Sequence, residues 1–249
     1  MEEANVFDFD GTISQKTKAT LLEKLIEDYY KKQNLKNKLS MLSKITAIKL
    51  YKEASKTIGK IFDKQDITGE TTSLEIFEVL LLKDLMIPMD FVYEKAKEYK
   101  NLIDKKHIEE FKNCQKDIYI VSAEPIQLLE AIVDELGLNE KIKKIYGTKF
   151  KIEDGLIKGF ERTQLFAGVR GKYLGMKEIV SNGYSKIHAI GDSMADIGLF
   201  EEHESKIIPY TFENSPELLK EYVIEHGGKV LNNLEEFFEN QWLFLTTLK

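Results

Sequence analysis

Apolar residues fall into two patterns that alternate along most of the chain. Short β-branched and aromatic runs stand at Val6, Phe7 and Phe9 and in residues 117–121, 144–148, 186–190, 206–209 and 229–231. Their length and composition are those of buried strands. Helical spacing follows in residues 126–136, 173–181, 215–226 and from Leu234 onward. This alternation predicts an α/β core, a Rossmann-like parallel sheet with helices on both faces. Asp154-Gly155, between two strand-like runs in residues 149–160, predicts a β-hairpin.

One stretch breaks the alternation. Residues 15–107 carry almost no strand signal. Leu21, Leu22, Leu25, Ile26 and Tyr29 make one helical stripe, and Leu39, Leu42, Ile45, Ile48 and Leu50 a looser one. Residues 72–85 and 89–111 read as two more helices, divided at Ile87-Pro88, where proline suits a helix start. So long a segment exceeds a strand-to-strand crossover. The expected organisation is therefore a core of residues 1–14 and 109–249, with an all-helical insertion at 15–108.

Composition narrows the function classes. A net charge of −6 over 249 residues argues against a general nucleic-acid binder, and no helix-length apolar run or cleavable leader is seen. A cytoplasmic protein without membrane association is the expectation. The single cysteine, Cys114, excludes an internal disulfide and reads as a small buried thiol. His107, His188, His203 and His226 lack ligand spacing, which disfavours zinc. Phe237, Phe238, Trp242, Phe244 and Leu245 give the last helix an apolar side, expected to dock on the core; a monomer or a homodimer is compatible with this.

The chemistry sits where strands end. Val6-Phe-Asp8-Phe-Asp10-Gly11-Thr12 places two carboxylates at a strand terminus before a tight turn. Ser122 ends the second strand run just before a helix, beside free backbone N–H groups; Glu124 reads as part of that helix's N-terminal cap. Lys172, expected in the first turn of a helix, opposes the helix dipole unless it faces an anion. Gly191-Asp192-Ser-Met-Ala-Asp196 brings two more acids to a strand end. Open parallel sheets gather such ends into one crevice, so these residues should converge. Four carboxylates, a hydroxyl and an ammonium call for a hard oxygen-ligated cation, Mg²⁺, and fit phosphoryl transfer. One carboxylate can act as nucleophile by forming an aspartyl-phosphate, and the second acid two residues later, Asp10, could protonate the leaving alkoxide and afterwards activate water.

These motifs resemble those of the haloacid dehalogenase (HAD) superfamily of phosphatases. Asp8-Phe-Asp10-Gly-Thr12 is similar to its first motif, Ser122 to its second, Lys172 to its third and Gly191-Asp192…Asp196 to its fourth. The resemblance implies Asp8 as nucleophile and Asp10 as general acid/base. Ser122 and Lys172, with Gly11 and Ala123, would bind phosphate. Asp8, the Asp10 carbonyl and Asp192 would hold Mg²⁺, and Asp196 would support the metal or orient the lysine. The insertion resembles a C1 cap, and the Glu153-Asp-Gly155 hairpin that of the phosphoserine-phosphatase-like branch.

The implied activity is Mg²⁺-dependent hydrolysis of a small-molecule phosphomonoester through an aspartyl-phosphate. A phosphotransferase or mutase would use the same intermediate, and a non-hydrolytic phospho-accepting regulator would use the same residues. One departure bears on substrate: residues 14–108 contain no arginine, whereas phosphoserine phosphatases hold the substrate carboxylate with a cap arginine. Lysine lacks that bidentate fork, so phosphoserine is not the expected substrate.

Overall fold

The structure, a computed structural model, describes residues 2–14, 20–33, 85–161, 168–201 and 206–246, together with Ser43 and Thr46. The stripe at 39–50 and the helix at 72–85 lie outside these residues, apart from those two positions and Leu85. Strand β1 (Glu3–Phe7) lies between β3 (Asp117–Pro125) and β7 (Lys186–Ile190), and the sheet order is β4-β3-β1-β7-β8-β9. The outer members are β4 (Ile142–Thr148), β8 (Ile207–Phe212) and β9 (Lys229–Leu231), and every pairing is parallel. From β1 the chain builds outward to β4, then returns across β1 to start β7. That reversal creates a crevice at the carboxyl ends of β1 and β7.

Both faces are covered, as the alternation requires. Ala4 and Val6 pack with Met176 and Ile179 of α5 (Gly168–Ser181) and Leu219 and Val223 of α6 (Glu217–Glu225). Phe7 points the other way. It meets Phe111 of α3 (Lys105–Asn113) and Phe237 of α7 (Leu234–Thr246), with ring centroids 4.9 and 5.1 Å away. Phe237 and Phe238 are thus buried on the core as expected; the side chains of Trp242, Phe244 and Leu245 lie outside the description.

Within the inserted stretch, α1 (Leu21–Lys31) buries Leu21, Leu25 and Ile26 on one face, and Thr20 caps it by accepting from Glu23 N at 3.2 Å. β2 (Ile87–Pro88) joins a second, antiparallel sheet, β2-β6-β5, so a short strand stands where none was expected. The hairpin β5 (Phe150–Glu153) and β6 (Leu156–Phe160) turns through Asp154 and Gly155, both at positive φ. The expected single helix 89–111 is two. α2 (Met89–Tyr99) ends in a 3₁₀ turn, and α3 restarts because Asp104 accepts from Lys106 N at 3.0 Å. α4 (Ile126–Glu135) packs against α2. Among the described residues no helix is long and apolar enough to cross a membrane.

Cys114 is buried, accepts from Asn5 Nδ2 at 3.3 Å, and has its thiol pKa raised by burial. His188 is 3% exposed, with Nδ1 3.1 Å from the Tyr210 hydroxyl and Nε2 near Glu3 and Lys116. Burial, reinforced by the Lys116 charge, lowers His188 to about 4. The group is therefore neutral in the fold, and protonation favours the unfolded chain. Stability is fully present above the unfolded value near 6.5 and is lost as pH falls towards 4, by at most about 3 kcal/mol. Urea midpoints measured across that range should show the stability gap between wild type and His188→Gln closing as pH falls; a constant gap contradicts the assignment.

Candidate active site

The crevice is built from strand ends that sequence distance keeps far apart. β1 continues its pairing one residue beyond Phe7, where Asp8 N donates to Ile190 O at 3.0 Å. This bond fixes Asp8 between β1 and β7. The chain then turns tightly: Ile13 N and Ser14 N both donate to Phe9 O, and Gly11 takes φ +78°. Gly11 is required by space as well as by φ, because a Cβ there would lie 2.0 Å from Asp192 Oδ2.

Past β7, Gly191 allows equally close approach, since a Cβ would lie 2.2 Å from Asp196 Cγ. Ser193 caps the 3₁₀ turn Met194–Leu199, and Asp196 folds back over it. Asp196 Oδ2 accepts from Asp192 N at 3.0 Å, Ser193 N at 2.7 Å and Ser193 Oγ at 2.8 Å. Its other oxygen, Oδ1, accepts from Lys172 Nζ. Lys172 also donates to Asp8 Oδ1 at 2.8 Å, and all three side chains are buried.

Charge balance in this pocket is poor. Burial first, then Asp196 and Asp192 against the opposing Lys172, raises Asp8 well above the usual carboxylate range. Burial and Asp196 push Asp192 up to about 7. Burial alone would lower Lys172, but Asp196 and Asp8 outweigh it and raise the ammonium pKa. One lysine does not neutralise this many acids. Asp8, Asp192 and Asp196 can each bring an oxygen within 4.8 Å of the other two. Because Asp196 is spent on Lys172 and backbone N–H groups, Asp8 and Asp192 are the carboxylates left for a cation. The hard oxygen set and the Cβ-free cradle at Gly11 fit Mg²⁺.

Asp10 lies close enough for the Lys172 charge to act on it and for its own charge to act on Asp192. Burial raises it, offset by a hydrogen bond with the Glu124 carboxyl and by the Leu21 N–H. Asp10 Oδ1 is buried without a partner among the described residues. Glu124 is itself raised well above its usual range by burial and by Asp10. A proton shared between these carboxyls relieves their repulsion.

No family model matches the chain, and no curated protein matches it. Solved structures do. Cytosolic 5′-nucleotidase IIIB bound to cytidine superposes at TM-score 0.66 with 14% identity, over 98% of this chain and 88% of that one. A substrate-bound phosphoserine phosphatase complex gives 0.59 and 18% over 96% and 98%. A HAD family hydrolase from Salmonella enterica serovar Typhi gives 0.57 and 14% over 95% and 70%. The chain has the HAD fold.

Within this fold Asp8, Lys172, Asp192 and Asp196 come together, whereas Ser122 is hydrogen-bonded to Glu124, and two local expectations are corrected. Lys172 was expected in a first helical turn facing an anion; α5 starts earlier, at Gly168, so Lys172 stands in the second turn, and the anions it faces are the carboxylates of Asp8 and Asp196. Ser122 was expected against a helix N-terminus, but β3 runs on to Pro125 and α4 starts only at Ile126. The buried Ser122 Oγ instead accepts from Glu124 N at 3.2 Å, and Ala123 is exposed beside it.

Glu124 is the residue that sequence reasoning misassigned. It caps a helix, but α1 and not its own, since Leu22 N donates to Glu124 Oε2 at 2.9 Å. The missed signal is a period of two: in an extended run Ser122 and Glu124 share a face. Replacing Gly11 by alanine tests the cradle. Gly11→Ala should lower unfolding free energy by about 1–2 kcal/mol, the cost of a left-handed alanine, and turn Asp192 out of the pocket in a crystal structure. Unchanged stability with Asp192 in place contradicts the close approach.

Proposed function

We propose that the chain is a Mg²⁺-dependent phosphatase acting on a small-molecule phosphomonoester through an aspartyl-phosphate at Asp8. The observation carrying this reading is the burial of Asp8 on Lys172 beside Asp192, with a carboxyl-paired Asp10 two residues further along the chain. The named phosphatases of the same fold support it.

Asp8, the Asp10 carbonyl and Asp192 would hold Mg²⁺, which when bound offsets negative charge on the phosphoryl oxygens. An Asp8 carboxylate oxygen attacks phosphorus in line with the ester oxygen. Lys172 holds Asp8 in position and, with Ser122 and the backbone of Gly11 and Ala123, receives phosphoryl oxygens. As the P–O bond breaks, Asp10 delivers its proton to the leaving oxygen. The resulting Asp10 carboxylate then takes a proton from water, which attacks phosphorus and frees Asp8 and phosphate. Asp196 serves through Lys172, whose ammonium it orients.

Residues 15–108 are the cap in this reading and residues 1–14 and 109–249 the core. Specificity belongs to the cap, where the absence of arginine over residues 14–108 argues against capture of an amino-acid carboxylate. Phosphate release from 4-nitrophenyl phosphate should require Mg²⁺ and vanish in Asp8→Asn, while Asp10→Asn should cost about 10²–10⁴-fold. Activity that survives Asp8→Asn or chelation sinks the mechanism. In a panel of phosphomonoesters including nucleotides, phosphoserine should fall below the best substrate; selective turnover of phosphoserine contradicts the arginine argument.

A further inference from the structure

Glu124 is a buried acid, 3% exposed, to which the reaction above gives no task. It makes two kinds of contact. Its Oε2 accepts the Leu22 N–H at 2.9 Å, and the neighbouring Leu21 N–H favours its charged form. These are the first two residues of α1, whose next N–H, that of Glu23, is taken by Thr20. The free donors of the helix start are thus satisfied by a side chain from strand β3, more than a hundred positions away in sequence. The same carboxyl pairs with that of Asp10, whose charged form the Leu21 N–H also favours. Asp10 Oδ1 stays buried and unpartnered among the described residues, the oxygen left for a ligand.

We infer that Glu124 is a positioning residue that seats the first turn of α1 and fixes the Asp10 carboxyl, so that helix docking and alignment of the leaving-group acid are one event. The inference rests on the phosphatase reading. Two acceptor oxygens on Glu124 serve one helix start and one catalytic acid. Displacing α1 removes the Leu21 N–H from Asp10 and the Leu22 N–H from Glu124 together. In the step concerned, the Asp8 oxygen–phosphorus bond forms while the phosphorus–ester oxygen bond breaks. The electron pair goes to the ester oxygen, and the Asp10 proton follows it. A misplaced Asp10 impairs that proton transfer and, after it, the deprotonation of water; kcat/KM, which reports steps up to the first P–O cleavage, isolates the former.

The demand for the proton depends on what leaves. A 4-nitrophenolate departs without one, whereas an alkoxide needs it. The test compares kcat/KM for 4-nitrophenyl phosphate and β-glycerol phosphate with Mg²⁺ in wild type, Glu124→Ala and Glu124→Gln. Glu124→Ala should lose about 10²-fold on the alkyl ester and less than about fivefold on the aryl ester, the difference expected of acid catalysis. Glu124→Gln keeps an oxygen for Leu22 N–H and should recover at least about tenfold on the alkyl ester. If the alanine protein does not fold, Glu124→Asp, one methylene short, should show the same leaving-group selectivity in smaller degree. Equal losses on both esters, or no recovery with glutamine, overturn the positioning role while wild-type turnover leaves the phosphatase reading intact. A wild type that hydrolyses neither ester, nor any phosphomonoester of the wider panel, overturns both.

Discussion

The site is governed by an imbalance of charge. Lys172 is the ammonium held between Asp8 and Asp196, while Asp192, Asp10 and Glu124 crowd the same end of the sheet. Burial makes each uncompensated carboxylate costly, and the fold answers each differently. Asp196 is satisfied by two backbone N–H groups, a hydroxyl and the lysine. Asp10 and Glu124 meet each other. Asp8 and Asp192 keep oxygens facing the crevice, which is what a divalent cation and a phosphoryl group would complete.

The sheet makes this concentration tolerable. β1 is paired on both sides and packed on both faces, with Val6 towards α5 and Phe7 against Phe111 and Phe237. Its last backbone bond, Asp8 N to Ile190 O, ties an acidic residue to the middle of the sheet. Two glycines then admit side chains where a Cβ would block them, Gly11 for Asp192 and Gly191 for Asp196.

Much of this was legible in the chain because strands and their terminal polar residues are local signals. Asp8, Asp10, Ser122, Lys172, Asp192 and Asp196 could be chosen from short motifs, and the β–α alternation implied that they converge. What escaped depends on contacts between distant segments. Where β3 ends is decided by its pairing with β4, which carries the strand past Ser122 to Pro125. The break between α2 and α3 hangs on one side-chain cap at Asp104 that helical periodicity does not register. Glu124 looked like a cap because it precedes a proline and a helix; that it caps α1 instead depends on α1 meeting β3 across more than a hundred positions. Residues 14–108 gave only a composition argument, their lack of arginine.

Asp8 as the covalent nucleophile is the claim on which the rest depends. The most direct measurement is acid quenching of Asp10→Asn during turnover of ³²P-labelled 4-nitrophenyl phosphate with Mg²⁺, followed by peptide mapping. Label that is released by hydroxylamine and resides on Asp8, in the peptide opening with β1, is the predicted result. Label on another residue, or turnover with no label at Asp8, would contradict it.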